Sequence, residues 1–220
     1  MTTWQVAPDV WIGFARCESS TSGRTGREQR WPLDREAGNR AVAMVVAASG
    51  LNADCTTSRS HTGGVAAAVA VPAGVRVGVD LVETERVSSR HAHAVLNGAE
   101  WEVLAPFAGV RPALAWALKE AAAKASGDPL RCFPHGLRIQ SGPAGLYLRQ
   151  VAGARRVFKA GWGLFGRFLY AWVGGWAPSI DRATRCPGVH GIWGGPTHQH
   201  QSSPRLGAHI AFGHPEGYGV

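Results

Sequence analysis

The period of apolar and polar positions changes several times along the chain, and each change marks an element. Residues 18–40 are polar and rich in Arg, Ser and Gly, ending in "LDREAGNR", whereas 41–49, "AVAMVVAAS", are apolar and rich in helix-forming alanine. This predicts a loop followed by a buried helix. At residue 65 the pattern turns to short β-branched runs, "VAAAVAV" and "VRVGVDLV", separated by Pro72-Ala73-Gly74, which predicts a hairpin. In the second run Val75, Val77, Val79 and Leu81 alternate with Arg76, Gly78, Asp80 and Val82. Asp80 is thereby set on the opposite face from most of the apolar side chains, with space beside it at Gly78.

A helical region follows at about 86–105, within which "LNGAEWEVLAP" has the form of a short capped helix. Pro112 suits the first turn of a helix running through Ser126, and Gly127-Asp128-Pro129 is a strong stop. On that helix Leu114, Leu118, Ala121 and Ala125 form an apolar stripe, while Trp116, Glu120 and Lys124 recur every fourth residue on a common side. "GLRIQ", "GLYLRQVA", "RRVFKAGW" and "RFLYAWVGG" then predict short strands of an antiparallel meander. Beyond Trp176 the chain is rich in Gly, Pro and His without sustained periodicity, so 177–220 is expected to be a poorly ordered tail.

With 220 residues, 45% of them apolar, the chain can build one generous domain or two small ones. A formal charge of +8, carried almost wholly by arginine, favours anionic partners such as phosphate compounds, nucleic acid or an acidic protein. The arginines are spread along the chain and no nucleic-acid reader motif accompanies them, so nucleic acid is not expected as a partner. Cys17, Cys55, Cys132 and Cys186 are scattered without a CxxC pair, and no charged-then-apolar leader opens the chain. Free thiols in a cytoplasmic setting are expected. The apolar runs fall well short of the roughly 20 residues that span a bilayer, so no membrane association is implied.

Three pieces occur in order: "SRSHTGG" at 58–64, "VGVDLVE" at 77–83 and "WALKEAAAK" at 116–124. Each alone has an ordinary reading: a turn, a strand-end aspartate, an ion-paired solvated helix. As an ordered set they resemble the 4'-phosphopantetheinyl transferase superfamily. The Ser-His segment upstream of Gly-x-Asp makes the chain similar to its longer, surfactin-type (Sfp-like) branch. The resemblance covers about 40–176. It implies an α+β fold of two pseudo-symmetric halves, each packing helices on a small antiparallel sheet. Residues 1–74 would form a shortened first half and 75–176 the second, with coenzyme A between them and the chain acting as a monomer.

The resemblance also implies an activity: transfer of the 4'-phosphopantetheine arm of coenzyme A to a serine of an acyl or peptidyl carrier protein, with Mg²⁺, releasing adenosine 3',5'-bisphosphate. Asp80 and Glu120 would hold the metal, which takes oxygen ligands and neutralises charge at phosphorus. Glu120, or a water it orients on the metal, would accept the serine proton. Lys124 would meet the coenzyme A phosphates, Ser60 and His61 its 3'-phosphate, and Arg40 a further phosphate. Lys119 would make either a salt bridge or a phosphate contact. Glu100 matches a glutamate that family members often carry, and equally reads as a solvated helix residue beside Trp101.

The chain departs from the Sfp-like pattern at two places. A third acidic ligand is usual two residues after the aspartate; here that place is Val82, and Glu83 falls on the other face of the strand. This "DLVE" wording is closer to the short holo-acyl-carrier-protein synthases and predicts a two-carboxylate metal site. The passage between 49 and "SRSH" is also short, "GLNADCTTS" with its serine shared, which trims the region expected near the adenine. A non-catalytic descendant that binds coenzyme A or a carrier protein is the alternative reading. His91 and His93, and likewise His198 and His200, are not expected to bind metal.

Overall fold

The computed structural model describes residues 2–17, 27–51, 54–128, 132–151 and 156–175, so the predicted tail at 177–220 lies outside the described residues. Two antiparallel sheets organise the chain. The first contains β1 (Thr2–Ala7), β2 (Val10–Arg16), β3 (Cys55–Thr62) and β4 (Val65–Pro72) in the order β1-β2-β4-β3. The second contains β5 (Val77–Glu83), β6 (Leu137–Gly142), β7 (Gly145–Gln150), β8 (Val157–Phe165) and β9 (Phe168–Gly174) in the order β5-β9-β8-β7-β6. The predicted meander is β6 to β9, and it closes on β5 through β9.

The helices are α1 (Arg27–Ser49), α2 (Ser89–Val95), α3 (Gly98–Val103) and α4 (Arg111–Ser126). Alternation along the strands sorts the molecule into layers. Ile12 and Phe14 of β2 and Val65, Ala67 and Val69 of β4 turn toward Val77, Val79 and Leu81 of β5 and Phe168, Tyr170 and Trp172 of β9, forming a core between the sheets. Ala15, Ala66, Ala68 and Ala70, on the other face of the first sheet, pack on Ala37, Ala41 and Val45 of α1. Leu169, Ala171 and Val173 turn the opposite way, onto Leu114, Leu118 and Ala121 of α4. The order of layers is therefore α1, first sheet, second sheet, α4. Among the described residues no helix is long and apolar enough to cross a membrane.

Two expectations are corrected here. The helix begins at Arg27, well before residue 41: its first turns are polar and include Pro32 and Gly38, which lower local propensity, and packing of one narrow stripe of small residues on the sheet outweighs it. The two β-branched runs at 65–72 and 77–83 do not pair as a hairpin. β4 takes β2 and β3 as partners and β5 takes β9, so Pro72-Ala73-Gly74 carries the chain from one sheet to the other.

α4 starts with Pro112 in its first turn and stops at Gly127, whose φ of 77° is left-handed. Its alanines let it lie against β5: a Cβ at Gly78 would sit 1.9 Å from the carbonyl oxygen of Ala121. The space beside Asp80 that glycine leaves is filled by the helix backbone.

Candidate active site

Asp80 and Val82 alternate with the residues of the intersheet core, so Asp80 faces α4 from an edge strand. Its carboxylate is nearly buried, and its Oδ1 accepts two hydrogen bonds of 2.8 Å, from Lys124 Nζ and Ser60 Oγ. Lys124 also donates to the carbonyl of Val79 at 3.0 Å, so α4 is tied to β5 at the point where the acid sits. Glu120, one turn before Lys124, is half-buried on the same side of the helix. Burial and then the charge of Asp80 push its carboxyl above the usual range, with Lys124 pulling the other way. Strand and helix thus hold two carboxylates and one ammonium close enough to feel each other.

Ser60 and His61, adjacent on β3, face opposite sides of the sheet. Ser60 lies opposite Ala67, on the intersheet face, and His61 opposite Ala66, on the α1 face. The two side chains therefore point away from each other, and Ser60, 9% exposed, hydrogen-bonds to Asp80. His61 is exposed beside a cavity of about 280 Å³ lined by Asp34, Arg35, Arg59 and His61 itself, with its Nδ1 3.7 Å from Asp34 Oδ2. Arg59 donates to Asn39 Oδ1 on α1. Arg40 sits 3.3 Å from Glu36, one turn back on the same helix. Cys17 completes this corner; burial, then the charge and hydrogen bond of Asp34, push its thiol up, while Arg40 pulls it down. Cys17, Cys55 and Cys132 are free thiols.

Lys119 is corrected as a phosphate contact. It is fully buried, and its Nζ donates to Glu100 Oε1 at 2.5 Å, Leu137 O at 2.6 Å and Pro134 O at 3.3 Å, which uses its three protons inside the protein. Of the two roles open to it, the salt bridge is the one made. Glu100 is accordingly no solvated helix residue: it is 1% exposed, accepts from Ile139 N–H, and closes a capping box with Asn97 at the start of α3. The pair pins α3 and β6 to α4. Glu83 faces away from Asp80, as alternation predicts, and its carboxylate meets Arg86 at 2.7 Å and Arg167 at 3.0 Å. Val82 is buried in the α4 core. His91 and His93 pack on Trp116 and Trp101 as ring neighbours.

Two residues that border the site have no role assigned from the sequence. Ser58, on the same face of β3 as Ser60, accepts from the Val79 N–H at 3.2 Å, and Asp34 reaches His61 from α1. Ser58 was legible only as the other member of an i, i+2 serine pair on a strand. Nothing in the helix pattern marks Asp34.

Asp80 and Glu120 are the residues here that could hold a hard divalent cation. Asp80 Oδ2 has no hydrogen-bond partner among the described residues, and neither does the Glu120 carboxylate, so repulsion between the two acids is only partly relieved by Lys124. No cluster of three or more His, Cys, Asp or Glu able to hold a metal occurs among the described residues. Two carboxylates with waters and substrate phosphates completing the shell is a pattern that Mg²⁺ takes.

Fold and site together define an α+β protein with an acidic pair and an ammonium at a strand-helix junction. Residues 76–155 match the model of the 4'-phosphopantetheinyl transferase superfamily, so this stretch of the chain is similar to that superfamily. The match contains Asp80, Glu120 and Lys124 and leaves Arg40, Ser60 and His61 outside it. Two small antiparallel sheets packed with helices are consistent with the fold of the superfamily. No curated protein matches the chain.

Proposed function

We propose that the protein transfers the 4'-phosphopantetheine arm of coenzyme A to a serine of an acyl or peptidyl carrier protein in a Mg²⁺-dependent reaction. The observation that carries this reading is the convergence of Asp80 from β5 with Glu120 and Lys124 from α4, inside the stretch that matches the superfamily. The carrier serine oxygen attacks the pantetheine-side phosphorus of the pyrophosphate. The bridging P–O bond breaks, and adenosine 3',5'-bisphosphate leaves with the bridging oxygen. Glu120 takes the serine proton. Lys124, anchored on Asp80 and Val79, keeps one proton to offer a phosphate oxygen. Mg²⁺, held by Asp80 and Glu120, would neutralise the charge on the non-bridging oxygens. Exposed His61 with Arg35 and Arg59 forms the basic corner for the 3'-phosphate.

Two sheets in one chain support a monomer with two halves, as in the Sfp-like branch, and the free thiols support a cytoplasmic setting. The reading is tested by incubating the protein with coenzyme A, Mg²⁺ and a panel of apo carrier domains, and following adenosine 3',5'-bisphosphate by chromatography. Release that requires both carrier and metal is expected. Tight coenzyme A binding without release from any carrier would favour the non-catalytic descendant.

A further inference from the structure

β5 is an edge strand, paired with β9 on one side only, and its other edge faces β3. Side chains satisfy that edge at the site: Ser58 Oγ accepts from Val79 N–H, and Lys124 donates to Val79 C=O. Ser60, two residues along the same face of β3, reaches Asp80 with its hydroxyl. A carboxylate only accepts, so the serine proton points at Oδ1, and with Lys124 on the same atom both of its lone-pair directions are used. Oδ2 is left as the oxygen without a partner among the described residues.

We propose that Ser60 is a positioning residue for metal binding: its hydroxyl, together with Lys124, fixes the Asp80 carboxylate so that Oδ2 alone is presented to the cation. The motif pattern assigns Ser60 to the 3'-phosphate instead, and the two roles differ in what Ser60 changes. A serine that orients a ligand acts on metal affinity with coenzyme A absent. One that binds phosphate acts on coenzyme A affinity with metal absent. The inference rests on the transferase reading only in taking Asp80 and Glu120 as the metal pair.

The test uses the full chain with Mn²⁺ as the probe, its binding followed by electron paramagnetic resonance, beside calorimetric titration of coenzyme A in chelator and a thermal melt. Ser60→Ala is expected to weaken Mn²⁺ binding by about 10- to 100-fold, the range for loss of an outer-sphere hydrogen bond to a metal ligand. Ser60→Thr restores it by keeping the hydroxyl, and metal-free coenzyme A affinity is unchanged. Ser60→Cys, of similar size but a poor donor, falls with alanine and decides the matter if the alanine variant does not fold. Ser58→Ala, which loosens β3 on β5 without touching Asp80, lowers the melting temperature and leaves Mn²⁺ affinity in place. The proposal is overturned if Ser60→Ala and Ser60→Cys bind Mn²⁺ as the wild type does, or if they lose coenzyme A affinity with Mn²⁺ binding intact. Wild-type protein that binds neither Mn²⁺ nor coenzyme A would overturn the transferase reading itself.

Discussion

Gly78→Ala tests whether the closeness of β5 and α4 is what makes the site. The added Cβ would lie 1.9 Å from Ala121 O and 2.9 Å from both Ala121 C and Ala125 N, all backbone atoms of α4. No side chain can rotate away, so the helix must retreat, by about 1.5 Å at Ala121 to restore ordinary van der Waals contact. Overpacking of this kind costs about 2 kcal/mol, which for a domain of this size lowers the melting temperature by roughly 4–8 °C. Glu120 moves with the helix while Asp80 stays on the strand. Because Mg²⁺ demands oxygens at about 2.0–2.1 Å in near-octahedral geometry, a shift of about 1 Å should weaken metal binding at least tenfold. The assay is a thermal melt with a Mn²⁺ titration, set against Gly98→Ala, whose Cβ meets nothing within 4 Å. If Gly78→Ala melted with Gly98→Ala and bound Mn²⁺ equally, close packing would not be what holds the two acids together.

The buried Lys119–Glu100 pair predicts strong coupling. Removing one partner, as in Glu100→Ala or Lys119→Ala, leaves a buried charge unmatched and should cost about 3–5 kcal/mol in urea denaturation, while Lys119→Met with Glu100→Leu costs less than the sum of the singles. Glu120 titrates higher in the folded chain than in the unfolded one. Its contribution to stability is present at acid pH, below the unfolded value, and is lost as pH rises through the raised folded value, so Glu120→Gln should flatten that part of the stability profile without metal. Asp34→Asn removes the carboxylate facing His61 and acting on Cys17. Coenzyme A should bind more tightly, dephospho-coenzyme A should not, and Cys17 should alkylate at lower pH, which an iodoacetamide pH series will show.

What was legible in the sequence was local. The meander β6–β9 and helix α4 announce themselves because alternation, glycine breaks, Pro112 and Gly127 act within a few residues. Partner choice is not local, which is why the stretch around Pro72 read as a hairpin although β5 pairs with a strand nearly ninety residues later. The β1–β2 hairpin went unread, yet Trp4 and Val6, turned by Pro8-Asp9 with Asp9 at φ 58°, are the kind of signal that marks one. The acids of the site were visible as types at a spacing, and the strand and helix do bring Asp80, Glu120 and Lys124 together. The directions in which Lys119 and Ser60 point were not legible, for one reason. A motif shows that a residue is required but not which way it points, and burial of Lys119 depends on Glu100 arriving from another helix.

The most direct test of the account is the intact mass of an apo carrier domain after incubation with the protein, coenzyme A and Mg²⁺. The account predicts that wild-type protein adds the mass of one phosphopantetheine arm to the carrier serine, that chelator abolishes the addition, and that Asp80→Ala and Glu120→Ala each reduce its rate by at least about a hundredfold. Full transfer by either variant at limiting Mg²⁺ would contradict the two-carboxylate site.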